Sequence, residues 1–483
     1  MTLGLALSFV ISTVTGVLLL RLAWPRHAAC PWPLLAALGA GLGAGVSAVL
    51  LFLWMLVFGP TRWFMLAEAG LLGLVALTTL AWRPARTTSQ PAATDTHRSG
   101  LVRLLAIVFL VTLSAAVVAF LSTLRQHPHG EWDAWMNWDL RARMIFRGGE
   151  QWRTAFSGAI PWSHPDYPVL IPTLGARSWL YAGMETLHGP WLVAATFTFG
   201  TVALVAGGLA ALRGWSNGLL AGSVLLSTSF FILHGTSLYA DVPLGFFFLA
   251  TFVFLALDGR YGAATNRFAM LAGSAAGISM WTKNEGLLFA VAVAGAILLV
   301  RTGGGWAGSR RRLLAFGAGL LPLLLLVVSF KIAFAPPNDL LSTLSIERTL
   351  GRLTSPERYF IVLREYARHI VSFGYNGFGT VMWVLAAYLL GLGVSRGELG
   401  RPWVRVGMAA LGLVLAGHFM VFVSMADELQ RLLNSSLDRL LLQLLPSALF
   451  LFFMVARRPG EAGAEQPLPV YRAERVAGSG VPS

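Results

Sequence analysis

The stretch GEWDAWMNWDLRARMIFR, residues 130–147, lies between long apolar segments and decides how the rest of the chain is read. It sets Glu131, Asp133, Asp139, Arg141 and Arg143 beside Trp132, Trp135 and Trp138. Ionisable groups at or inside a bilayer cost free energy and tend to be functional. Tryptophan favours the headgroup level, where its ring is buried and its N–H stays wet. The segment is therefore expected to form a helix on a membrane surface, with its carboxylates aimed into a cleft.

Composition supports the membrane. The 483 residues are 56% hydrophobic and only 12% charged, and mean hydropathy is +0.68. Soluble domains carry about 25% charged residues, so a water-soluble class is excluded. The net charge of +14 does not indicate nucleic acid. The basic residues sit in short loops between apolar segments, which is how membrane topology is encoded. Cys30 is the single cysteine, so neither an intrachain disulfide nor a Cys-rich zinc site can form. No basic region precedes the first apolar run, and Leu3 to Leu20 is expected to be a retained helix.

A spanning helix needs about 20 mostly apolar residues. About thirteen segments qualify by that measure: 3–22, 33–58, 63–82, 101–122, 189–211, 216–234, 240–257, 266–281, 285–300, 313–334, 369–394, 404–424 and 440–456. The fold class is thus all-α, a polytopic bundle. Arginines concentrate in alternate loops: Arg21 and Arg26; Arg83, Arg86 and Arg98; Arg213; Arg260 and Arg267; Arg301 and Arg310 to Arg312; Arg396, Arg401 and Arg405; Arg457 and Arg458. That side is cytoplasmic by the positive-inside rule, giving N-terminus out and C-terminus in.

The expected parts are N-terminal helices (1–83), a cytoplasmic linker (84–100) and a catalytic membrane module (101–335) with an outer loop at 123–188. An outer loop with the C-terminal helices (336–456) and a flexible cytoplasmic tail (457–483) complete the chain. The remaining polar groups then fall on the outer side: Glu131/Asp133/Asp139, His164-Pro165-Asp166-Tyr167, Tyr239-Ala240-Asp241, Lys283-Asn284-Glu285, and Asp427/Glu428/Arg431/Asp438/Arg439. Convergence of distant groups on one face is what an outward-facing active site needs. A transporter more often places such groups at the midplane on repeat-related broken helices, and no internal repeat is evident.

Each group also has a plainer reading. Glu131 and Asp133 can supply a general base or oxygen ligands, or they can cap a helix N-terminus; capping explains one acid but not three. Asp139 can pair with Arg143 at i,i+4. Arg141, Arg143 and Arg147 suit a phosphate or lipid headgroups. Prolines hold His164, Asp166 and Tyr167 in a rigid extended segment, either to line a cleft or to make a turn. Asp241 opens the apolar run YADVPLGFFFLATF as a functional acid, or as an N-cap with Pro243 in the first turn. Lys283, Glu285, Arg431 and Arg439 stand at helix boundaries, where cations either meet a lipid phosphate or snorkel. Trp281, Phe246 and Phe247 read as packing or lipid contact.

An acidic outer loop, then YADVPLGFFFLAT, then GISMWTKNEG, then RLLLQLLP follow one another in order. Over roughly residues 101–456 this resembles the membrane-embedded GT-C glycosyltransferases, of the protein O-mannosyltransferase and aminoarabinose-transferase kind. The resemblance implies transfer of a sugar from a polyprenyl-phosphate carrier to a lipid, glycan or protein acceptor outside the cytoplasm. By that likeness Asp133 matches the catalytic acid, with Glu131 as neighbour or alternate. Asp241 matches the helix-opening aspartate, and Lys283 a group facing the carrier phosphate. The acid spacing in Glu131-Trp132-Asp133 departs from the family's, so the base stays open among Glu131, Asp133 and Asp139. Three helices precede the catalytic loop's helix, where the family usually has one.

The expectation is an inverting transferase of a bacterial inner membrane. No cofactor is expected; oxygen ligands for a divalent metal are at hand, but no His/Cys cage accompanies them and a metal is not favoured. The alternative is a transporter or flippase of lipid-linked sugars.

Overall fold

The computed structural model describes residues 3–25, 28–81, 99–262, 266–300, 305–337, 345–373, 381–425 and 428–459. Most of the linker and tail lie outside them, as do Arg26, Arg83, Arg86, Arg98, Arg301 and Asp427. The chain is helical throughout the described residues. Four helices come first: α1 (Leu3–Ala23), α2 (Trp32–Phe58), α3 (Phe64–Ala81) and α4 (Ser99–Gln126). The first long loop holds a π-helical turn (Ala134–Trp138), α5 (Asp139–Gly148), two 3-10 turns (Gly149–Phe156 and Pro161–Ser163) and α6 (Leu170–Ala182). Then come α7 (His188–Arg213), α8 (Trp215–Ser227), α9 (Ser229–Thr236), α10 (Asp241–Tyr261), α11 (Arg267–Thr282), α12 (Glu285–Leu299) and α13 (Gly305–Ala333). The second long loop contributes α14 (Ile346–Leu353) and α15 (Pro356–Val371). Last are α16 (Val381–Leu392), α17 (Arg396–Leu399), α18 (Pro402–Met425) and α19 (Leu429–Val455).

Among the described residues nine helices are long and apolar enough to cross a membrane, or ten if α8 and α9, bent by 65°, count as one. The chain is therefore an integral membrane protein. Three of the segments expected as spans form shorter helices: α11 has 16 residues, α12 has 15 and α16 has 12. At 1.5 Å per residue none reaches across a core of ~30 Å. In the polar turn between α11 and α12, Lys283 is buried against the first residue of α10, while Asn284 and Glu285 stay partly exposed.

Helix α10 is the centre of the bundle. It is apolar all round, the pattern of a helix buried on every side, and 94% of its most apolar window is buried. It packs on α7, α11 and α19. Phe246, Phe247 and Trp281 are buried, so packing is their role. Small residues let backbones approach, as membrane interfaces require. A Cβ at Gly245 would lie 3.0 Å from the Gln443 carbonyl oxygen, which sets α10 directly on α19.

The first long loop is docked from two sides. Trp152 of the first 3-10 turn meets Phe52 of α2 at 6.3 Å, and Phe156 of the same turn meets Phe330 of α13 at 5.4 Å. On the other side Arg177 of α6 donates its Nε to both carboxylate oxygens of Glu68 on α3, at 3.0 and 2.9 Å, and its Nη2 to the Ser8 carbonyl of α1. Tyr181 donates to the same Glu68 at 2.7 Å. Removing one partner of such a buried pair is costly; this one ties α6 to α1 and α3.

Candidate active site

Four elements bring charge to one place. Asp133 comes from the first long loop, just before the π-helical turn. Its loop is tied down where the Glu131 N–H donates to the Ser237 carbonyl at 3.1 Å. Asp241 is the first residue of α10, Lys283 stands in the break between α11 and α12, and Arg439 lies in the N-terminal half of α19. Arg439 Nη2 donates to Asp133 Oδ2 at 2.6 Å and to Asp241 Oδ2 at 2.8 Å. Its Nε donates to Asp241 Oδ2 at 3.2 Å, and its guanidinium lies 4.6 Å from the Tyr239 ring centroid. Lys283 Nζ donates to Asp241 Oδ1 at 3.1 Å and pairs with Glu285 Oε1 at 2.7 Å.

The two aspartates are held very differently. Asp241 is fully buried and takes Arg439, Lys283 and the Gln443 amide (2.6 Å), with His234 Nε2 at 3.6 Å. Asp133 pairs with Arg439 and keeps a quarter of its side chain exposed. Neither carboxylate caps its helix: no side-chain capping bond forms at either start. The capping reading of both acids therefore gives way to ion pairing.

A second layer lies beside this one. Asn284 donates to Asp166 Oδ2 at 3.0 Å, and Lys331 of α13 donates to Asn284 Oδ1 at 2.8 Å and to the Asp166 carbonyl. Arg141 is completely buried and donates Nη2 to the Tyr167 carbonyl at 2.8 Å. His164 and Trp138 each stack on the Tyr167 ring, at 5.1 and 5.8 Å. Burial pulls the Arg141 guanidinium down to about 9, against the raising effect of Asp166. Arg141 thus clamps the His164–Tyr167 segment through backbone carbonyls.

Other expected residues stand apart. Glu131 is exposed and pairs with His127 at 3.5 Å. Arg143 and Arg147 pair with Glu185, Arg143 at 3.6 Å, so the expected Asp139–Arg143 pair is not the one that forms. Asp139 is buried, and burial drives its carboxyl up to about 7 against the lowering pull of Arg143. Arg431, with 84% of its side chain exposed, meets only Glu428 among the described ion pairs. Asp438 pairs with His369 of α15 at 2.6 Å. The expected surface helix is also corrected in part. Trp132 and Trp135 are exposed as a headgroup position requires, but Trp138 is buried in the core, because the π-helical turn rotates it inward.

Sequence reading missed Gln443, His234, His418 and Lys331. A polar residue inside an apolar span is itself a signal, and Gln443 follows Arg439 by one helical turn on the same face. Among the described residues no group of three or more His, Cys, Asp or Glu side chains could hold a metal ion. Comparison with family models, with curated proteins and with solved structures finds no match to this chain.

Proposed function

We propose that this chain is an integral-membrane glycosyltransferase that moves a sugar from a polyprenyl-phosphate carrier to an acceptor on the outer side of the membrane, in the manner of the GT-C enzymes it resembles. One observation carries the reading. A partly exposed loop aspartate and a buried helix aspartate share the guanidinium of Arg439, with Lys283 alongside.

The reaction needs a base for the acceptor hydroxyl and cationic groups for the leaving phosphate. Asp133 is the base by this reading, since it is reachable and lightly held, whereas Asp241 has every role of an anchor. The acceptor oxygen attacks the anomeric carbon and its proton passes to Asp133. The anomeric C–O bond breaks, its electrons leave with polyprenyl phosphate, and the configuration inverts. Arg439 and Lys283 stabilise that phosphate, and preorganised charge is worth most where water is scarce. An incoming phosphate competes with Asp133 alone for Arg439, because Asp241 is held by three further groups. Exchange of one anion for the other frees the base as the donor arrives.

Protein in nanodiscs, given polyprenyl-phosphate sugars and acceptor-containing membrane extract, should release free polyprenyl phosphate, read by mass spectrometry. Donor binding without turnover under those conditions would replace this proposal with a transporter or flippase of lipid-linked sugars.

A further inference from the structure

The Asp241 carboxylate has two sides. Oδ2 takes Arg439 and leads outward to Asp133, while Oδ1 takes Lys283 and Gln443. The Oδ1 side opens on a second set of groups. Glu285 uses Oε1 for Lys283 at 2.7 Å, and its buried Oε2 has no hydrogen-bond partner. Gln443 gives its amide N–H to Asp241, and its buried Oε1 is also unpartnered. His418 of α18 is 4% exposed, and neither ring nitrogen has a partner.

Helix packing brings His418 to the same place. A Cβ at the neighbouring Gly417 would lie 2.7 Å from a methyl of Leu288, one turn beyond Glu285 on α12. The charged groups whose field reaches the imidazole are Glu285 and Lys283. Buried polar atoms are nearly always hydrogen-bonded, so each exception asks for an explanation. Here the exceptions stand together, beside the reacting groups and inside an apolar bundle.

Their chemistry selects a ligand. Glu285 Oε2 and Gln443 Oε1 accept hydrogen bonds, and a neutral imidazole accepts on one nitrogen and donates on the other. The set calls for several donors and one acceptor, closely spaced, as the hydroxyls of a sugar ring supply. We propose that Glu285, Gln443 and His418 form a subsite that binds the hydroxyl groups of the transferred sugar and sets which sugar is accepted, while Arg439 and Lys283 hold the phosphate. This rests on the glycosyl-donor reading above.

The test compares two ligands in nanodiscs: bare polyprenyl phosphate, and polyprenyl phosphate carrying mannose, glucose, galactose or arabinose. For the best-bound sugar lipid, His418→Phe should weaken binding at least about ten-fold while bare polyprenyl phosphate stays within about two-fold, as loss of a hydrogen-bonding partner for a hydroxyl predicts. His418→Leu, a smaller apolar replacement at the same position, should show the same split if His418→Phe fails to fold. Equal losses for both ligands, or no loss for either, would overturn the subsite. If the wild type binds neither lipid, the glycosyl-donor reading itself fails and the subsite falls with it.

Discussion

The two polar ends of the bundle use their arginines for different ends. At the end where α7, α10 and α19 finish, guanidiniums close the helices. Arg213 donates to the Ala456 carbonyl at the end of α19, and Arg260 to the Leu212 carbonyl near the end of α7, both at 3.1 Å. The ion pairs there are simple: Arg312 with Asp258 at 2.8 Å, and Glu398 with Arg213 and Arg401. Cations at helix C-termini are what the helix dipole favours. At the other end Arg439, inside α19 and not at its C-terminus, joins two carboxylates from elements more than one hundred residues apart. Charge alone does not mark a site; convergence of side chains from separate elements onto one another does.

That contrast can be broken by substitution. The largest effect belongs to Asp241→Ala, which strands Arg439 and Lys283 in the bundle. Removing one partner of a buried pair costs about 3–5 kcal/mol, so the variant should melt far lower in detergent than wild type. Asp258→Ala leaves Arg312, which is partly exposed, free to reach water, and should lose much less. Equal losses would erase the distinction between the two ends.

Asp139 gives a pH-dependent effect of the next size. Its folded carboxyl lies at about 7, above the ordinary 3.8, because of burial. Between those values the folded chain holds a proton that the unfolded chain releases, so this group lowers stability as pH rises through that window. The gap corresponds to at most ~4 kcal/mol at 1.36 kcal/mol per pH unit. Asp139→Asn should match wild type near the acid end and melt higher than it at pH 8; a variant that melts lower than wild type at pH 8 would refute the assignment.

Arg439→Lys tests the shared guanidinium. A point-like ammonium cannot reproduce a fork between two carboxylates, and transfer should fall by about 10²-fold, as for loss of one preorganised donor. Turnover equal to wild type would remove Arg439 from the chemistry. The smallest effect is expected from Arg431→Ala. This exposed side chain lies eight residues before Arg439 on the same helix, about 12 Å along the axis, and its loss should change melting by less than ~0.5 kcal/mol and leave transfer unchanged.

Much of the site was legible because its parts are anomalies in an apolar chain. Asp133, Asp241, Lys283 and Arg439 each interrupt a hydrophobic run, and they meet. The same logic overcounted at Arg143, Arg147 and Arg431, where the partner is an acid that pattern reading did not connect: Glu185 for the first two and Glu428 for the third. Helical spacing suggested Asp139 for Arg143, but burial of Asp139 and the reach of Glu185 from the following loop decided otherwise. Gln443 and His418 were hidden inside long apolar helices, where a single polar residue barely alters the mean hydropathy. The helices at 3–22, 33–58, 63–82 and 404–424 were read closely, but α13 and α19 begin well before the expected starts at 313 and 440, 216–234 breaks into α8 and α9, and 369–394 divides between the amphipathic α15 and the short apolar α16.

The central claim is that Asp133 takes a proton and Asp241 does not. The direct measurement is the split between turnover and donor affinity for Asp133→Asn, with donor binding followed in the same nanodiscs. The account predicts turnover lower by about 10²–10⁴, the worth of a positioned base, with donor affinity unchanged or stronger because Arg439 is released to the phosphate. Turnover close to wild type would contradict it.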